Sequence, residues 1–190
     1  MKTLPKAYRN GYWEIRATQQ RRVFPHARPE APEDLLEHRE AVLYVTRSQK
    51  EEEVGRVEAT YINLVGAPWP EGDLFEIFDS ENQDLYEIWE ALRAHRADLL
   101  AYMGENSTSG VLYVQKVRII KDLRGYGLGG PFFDECLGLI GSDAEYAVLT
   151  AKPQDQEPGG EVSTQRLMGF YSRYGFDPIG DTNHMLKGEA

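Results

Sequence analysis

Apolar and polar residues alternate from Tyr12 to Thr18, the period of a strand with one buried face. The proline-containing stretch Pro25 to Pro32 then reads as a loop. Pro32 is placed to open a short helix, because the first helical turn does not use the N–H it lacks. Glu33 and Asp34 fall in that turn, and Leu35 and Leu36 face inward. Two further strands are predicted at Ala41 to Thr46 and Val54 to Leu64, joined by a solvated hairpin turn at the charged interval Lys50 to Glu53. After the glycine- and proline-rich interval Gly66 to Gly72, Ser80 and Gln83 have the spacing of a capping box and predict a helix start. Leu85, Ile88, Trp89, Leu92, Leu99 and Met103 recur there with helical spacing, while Asp84, Glu87, Glu90 and Arg93 fall largely on other faces.

Beyond the run Glu105 to Gly110 lies the most apolar strand, Val111 to Ile120. It leads directly into a glycine cluster and then a helix that carries Phe132, Phe133, Cys136, Leu137 and Ile140 inward. A strand at Ala147 to Ala151, a polar loop at Lys152 to Glu161, a helix near Ser163 to Tyr174 and a strand pair across Phe176 to Leu186 complete the order. No internal repeat or shift in composition divides the chain. Its 190 residues suffice for one substantial apolar core, so a single mixed α/β domain over 1–190 is expected.

Charge narrows the function classes. A formal net charge of -10 argues against nucleic acid as a main partner, since phosphate binding needs a basic face, and weakly favours small cationic ligands. The single cysteine, Cys136, cannot form an intramolecular disulfide, and it falls on the inward stripe of its helix, where a thiol packs. His26, His38, His95 and His184 lack metal-ligand spacing, so no metal is expected. No apolar run approaches the roughly 20 residues that cross a bilayer, and no leader pattern opens the chain. The expectation is a cytoplasmic protein with no membrane partner. A homodimer is left open.

The run Arg124-Gly125-Tyr126-Gly127-Leu128-Gly129-Gly130 lies between a strong strand and an amphipathic helix. Glycines there let main-chain N–H groups converge on phosphate oxygens at the positive end of the helix dipole, and Arg124 adds a fixed charge. Gly125, Gly127 and Gly130 also satisfy Gly-x-Gly-x-x-Gly. A dinucleotide fold, however, wants an acid about 20 residues later at the end of the next strand, and here that strand ends in Thr150, Ala151 and Lys152. The Lys-Ser/Thr ending of a Walker loop is absent.

Val117 to Gly130 resembles the coenzyme-A-binding signature of the GNAT superfamily of acetyl-CoA-dependent N-acetyltransferases, Arg-x-x-Gly-x-Gly/Ala after a hydrophobic strand, through Arg124, Gly127 and Gly129. Phe170-Tyr171-Ser172-Arg173-Tyr174-Gly175-Phe176 is similar to the family's aromatic-Tyr-x-x-x-Gly-Phe ending. The resemblance covers residues 111 to 180 by motif, and the first 110 residues agree only in the order of elements. It implies a mixed, mostly antiparallel sheet of about six or seven strands with helices on both faces. The cofactor-binding half would be about 111–180 and the acceptor half about 1–110.

By that resemblance, acetyl-CoA is the co-substrate and a small-molecule or peptide amine is the acceptor. The strand from Val111 should splay from the strand at Ala147, with Val117, Arg118 and Ile119 meeting the pantetheine arm through the main chain. Residues Arg124, Gly125, Tyr126, Gly127, Leu128, Gly129 and Gly130 would hold the pyrophosphate. Tyr171 would protonate the departing thiolate as general acid. Thr164 stands where many members carry Asn, and Val111 where some carry the acidic base, so the base is left unassigned. Asp79, Glu81, Asp84 and Glu87 border the acceptor side. They are read first as a solvated, capping face and only second as a holder of cationic amine. The rival readings are a GNAT-like module that binds acyl-CoA without turnover and, more remotely, a nicotinamide-dependent oxidoreductase.

Overall fold

The structure, a computed structural model, describes residues 3–20, 35–65, 68–106, 110–153 and 164–188. A one-turn helix α1 (Lys6–Arg9) precedes three long strands, β1 (Tyr12–Gln20), β2 (Leu36–Arg47) and β3 (Lys50–Ile62). Helices α2 (Glu71–Asp79), α3 (Gln83–His95) and α4 (Ala97–Asn106) lead to β4 (Gly110–Ile119). Then come α5 (Gly129–Ile140), β5 (Ala144–Thr150), α6 (Thr164–Tyr171) and the short strands β6 (Asp177–Pro178) and β7 (His184–Gly188). The strands form one seven-stranded sheet in the order β1-β2-β3-β4-β5-β7-β6. Only β4 and β5 pair in parallel; every other neighbouring pair is antiparallel.

Strand alternation divides the core into two layers. On β4, Leu112 and Val114 join Phe132, Phe133 and Ile140 of α5 on one face, while Val111 and Tyr113 join Ile77, Ile88 and Met103 of α2, α3 and α4 on the other. Helices therefore cover both faces, as the sequence predicts. Among the described residues, no helix is long and apolar enough to cross a membrane.

Three local expectations are corrected. Lys50 to Glu53 is strand: the turn is Ser48–Gln49, both with positive φ (47° and 65°), which is the two-residue reversal that matches strand twist. The charges there serve cross-strand ion pairs, Glu51 with Arg16 at 2.5 Å and Glu52 with Arg47. Leu35 and Leu36 are buried as expected, yet Leu36 begins β2; the loop from Pro25 and the helix start at Pro32 lie outside the described residues. The capping box at Ser80 is also displaced. Ser80 Oγ donates back to Ile77 O (2.7 Å) at the end of α2, a helix the pattern had not separated, and Asn82 caps α3 by accepting from Leu85 N at 3.0 Å. The single helix expected through Met103 breaks at Arg96, where φ is -141°.

One buried charge ties the layers together. Arg39, 4% exposed, stacks over the Tyr61 ring at 3.9 Å, donates to Glu37 at 3.0 Å and to Asp143, and donates to Ile140 O at 2.7 Å. Ile140 is the last residue of α5, so a cation meets that helix at its negative end and fixes it to β2. Arg39→Ala is expected to cost about 3 kcal/mol, since it strips a buried network of its cation. Asp143→Asn, at a side chain 55% exposed, should cost under about 1 kcal/mol. Denaturant midpoints of the two variants check the contrast.

Candidate functional site

The register of β4 shows where the sheet opens. β4 pairs with β5 from Gly110↔Ala144 to Val114↔Leu149, then continues to Ile119 paired with β3 alone. Between Glu58↔Lys116 and Ala59↔Val114, Gln115 has no opposite number on β3. Such an extra residue bends a strand and shifts its side-chain parity by one. Leu112 and Val114 before it, and Val117 and Ile119 after it, accordingly face the same α5 core. Beyond its last partner on β4, β5 turns the other way, with Ala151 N donating to Asn183 O at 2.8 Å. Among the described residues the segment 115–119 is thus left with an edge facing no strand, and Val117, Arg118 and Ile119 lie on it. The sequence carries the signal as a skipped beat in the apolar alternation at Gln115-Lys116.

The chain then reaches the glycine turn. A 3₁₀ turn, Lys121–Leu123, is anchored by buried Leu123, and Gly125 and Gly127 follow with φ of 79° and 82°, conformations that side chains resist. α5 starts at Gly129 with no side-chain cap and no acid in its first turn, so its first N–H groups keep their hydrogen-bonding capacity. Arg124 Nε donates to Ile119 O at 2.9 Å, folding the guanidinium back to the end of β4. Residues 116–124 hold Lys116, Arg118, Lys121 and Arg124 against the single acid Asp122, a local reversal of the chain's negative charge. Tyr126 and Leu128 are half-buried within the turn.

Gly130 has a further reason to be glycine. A Cβ there would lie 1.8 Å from the Tyr174 hydroxyl. Tyr174 packs against Phe133 and Phe170, with ring centroids at 5.7 and 5.2 Å, which locks α5 to the end of α6.

Tyr171 closes α6 in the same aromatic cluster, edge-on to Phe133 at 5.3 Å and to Phe176 at 6.2 Å. Burial pushes its phenol up to about 12, so it is a neutral proton donor across the physiological range. Gly175, at φ 85°, and buried Phe176 end the helix, with Phe176 N donating to Tyr171 O at 3.3 Å. The Tyr-x-x-x-Gly-Phe spacing therefore has a helix-ending logic. No residue of α6 is fully buried, although Leu167, Met168 and Phe170 lean on the core. Thr164 is its first residue.

The opposite face carries a polar group that the sequence reading only grazed. Glu81 Oε1 accepts from Gln115 Nε2 at 2.8 Å and from Thr60 Oγ1 at 3.2 Å, and Thr60 Oγ1 lies 3.3 Å from His38 Nδ1. A cavity of about 280 Å3 opens there, with His38, Glu40, Arg56, Glu58 and Gln115 in its wall. Tyr113 OH donates to Asn82 at 3.2 Å, and burial beside Asp84 holds its phenol above the ordinary value. His184 lies 3.0 Å from the Thr150 hydroxyl, and burial lowers its pKa. Of the other acids read as a solvated face, Asp84 meets Lys152 at 3.5 Å, Glu87 accepts from Gln83, and Asp79 is exposed at the end of α2.

Val111 is buried in the α3 face, and Cys136 is a packed thiol pushed up to about 12 by burial. Among the described residues, no group of three His, Cys, Asp or Glu side chains is placed to hold a metal ion.

No protein-family model matches the chain, and no curated protein matches it. Among solved structures it is similar to a KacTA–DNA complex at 13% identity and a TM-score of 0.45, over 80% of this chain and 67% of that one. It is also similar to a tyrosine-to-phenylalanine mutant of KacT at 12% identity and a TM-score of 0.43, over 81% and 71%.

Gly130→Ala is expected to destabilise the fold by about 1–3 kcal/mol through collision with the Tyr174 hydroxyl. Adding Tyr174→Phe should recover part of that loss, because the next ring atom stands 3.0 Å away. A double-mutant cycle of unfolding free energies reads the coupling.

Proposed function

We propose that this protein is a GNAT-type N-acyltransferase that moves an acetyl group from acetyl-CoA to a primary amine by direct transfer. The observation that carries the reading is the opening between β4 and β5, bordered by an unpaired main-chain edge and continuous with an uncapped helix start. Three features fit the thioester nucleotide. The edge at 115–119 offers main-chain groups to the amides of the pantetheine arm, as an added strand would. The positive-φ turn at Gly125 and Gly127 and the first turn of α5 offer N–H groups to a diphosphate. The cations at 116, 118, 121 and 124 supply charge to phosphate groups.

In this reading a main-chain N–H of β4 polarises the thioester carbonyl, and the oxyanion formed on attack is held by the same donor. Tyr171 delivers a proton to the departing sulfur, a role its neutral phenol suits. The apolar, half-buried face of α6 lines the arm and excludes water from the thioester.

Calorimetric titration is expected to show acetyl-CoA binding that weakens as salt is raised and weakens further in Arg124→Ala. Tyr171→Phe should bind acetyl-CoA within about twofold of the parent while losing about 100-fold in kcat, the scale of a missing general acid. Absence of coenzyme A binding by the folded protein would remove the reading.

A further inference from the structure

We propose that Glu81 is the proton acceptor for the incoming amine and that Thr60 and His38 pass the proton on to solvent. The assignment rests on the acyl-transfer reading above and gives it the base that no motif supplies.

Among the acids near the opening, Glu81 differs in what holds it. Glu58 faces Lys116 at 3.9 Å, Asp84 faces Lys152 at 3.5 Å, and Glu40 and Glu53 both meet Arg56. Each of those carboxylates is already engaged by a cation. Glu81 is held by two neutral donors, the Gln115 amide and the Thr60 hydroxyl, both on Oε1. Its second oxygen has no hydrogen-bond partner among the described residues. Gln115 is itself the extra residue of β4, so the carboxylate is fastened to the point where the sheet opens.

Thr60 is 0% exposed, a buried hydroxyl between a half-buried carboxylate and an exposed imidazole. It faces away from the α5 core that holds its neighbours Ala59 and Tyr61. A hydroxyl that accepts on one side while donating on the other hands a proton along without moving its oxygen. His38, in the wall of the 280 Å3 cavity, supplies the exit.

The proton count closes. An alkylammonium gives one proton to Glu81, and the freed nitrogen pair forms the C–N bond to the thioester carbonyl carbon as the C–S bond breaks. The carboxyl of protonated Glu81 then turns to present its O–H to Thr60, whose own hydrogen swings from Glu81 to His38 and passes on to water. The second nitrogen proton leaves by Glu81 once the first has been passed on, and Tyr171, having given its proton to sulfur, takes one back from water. The sum is ammonium plus thioester to amide, thiol and one released proton.

The test uses the full chain with acetyl-CoA and spermidine, tyramine and lysinamide as amine probes, reading thiol release beside calorimetry. Glu81→Gln is expected to bind acetyl-CoA within about twofold of the parent and to lose about 100-fold or more in kcat. Thr60→Val should lose about tenfold or more, and Thr60→Ser, which restores the hydroxyl, should recover most of it. Thermal melts establish that each variant is folded, and Glu81→Asp, which keeps the carboxylate, should turn over faster than Glu81→Gln. Parental turnover by Glu81→Gln, or equal rates for Thr60→Ser and Thr60→Val, overturns the proposal. Normal acetyl-CoA binding with no transfer to any probe overturns the base assignment and leaves the cofactor reading standing, whereas absent binding removes that reading itself.

Discussion

Gln115 occupies a place in β4 for which β3 provides no opposing residue, and the position of that one surplus residue sets where the central sheet divides. Before it, β4 is an inner strand paired on both sides. After it, the strand keeps β3 and loses β5. An inner strand with an unpaired edge carries backbone groups that want partners, and burial makes such groups costly to leave empty. The glycine turn, the bare start of α5 and the half-covered α6 all adjoin the segment that carries this edge or the helix that follows it. The fold thus exposes a run of its own main chain, with Tyr171 packed in the α5 layer and Glu81 on the α3 side, the two groups to which proton transfer is assigned by proposal.

Much of the architecture was legible because periodicity reports burial. The alternation in β1, the apolar run of β4 and the helical stripe of α3 fell where the structure places those elements, and the seven-stranded, mostly antiparallel sheet with helices on both faces is the layout the motifs implied. What failed was punctuation. Lys50 to Glu53 looked like a turn because four charged residues stood together, but here the acids of β3 pair with arginines of β1 and β2, and the real reversal needed only two residues with positive φ. Ser80 and Gln83 mimicked a capping box, yet Asn82 reached the free N–H of Leu85 first.

The site was legible to a different degree on each side. Glycines with positive φ leave a compositional trace, so the turn after β4 could be named from residues 124 to 130. Gly130 and Gly175 show that such a trace mixes causes: one makes room for Tyr174, the other ends α6 in a left-handed conformation. Glu81, Thr60 and His38 left no trace, because they come from three separate segments and meet only through the register of β2 on β3 and the placement of α3. Glu81 stood in view as one acid in a charged run. Its distinction, two neutral donors on one oxygen, exists only in three dimensions.

The fastening of Arg39 has a mechanical consequence. α5 is clamped to β2 at its carboxyl end through Ile140 and to the end of α6 near its amino end, where Gly130 and Phe133 meet Tyr174, which makes it a beam held at both ends. A load on that beam is returned to β2 one residue from His38 and to α6 at Tyr174, so the helix that follows the glycine turn cannot tilt without disturbing one or the other.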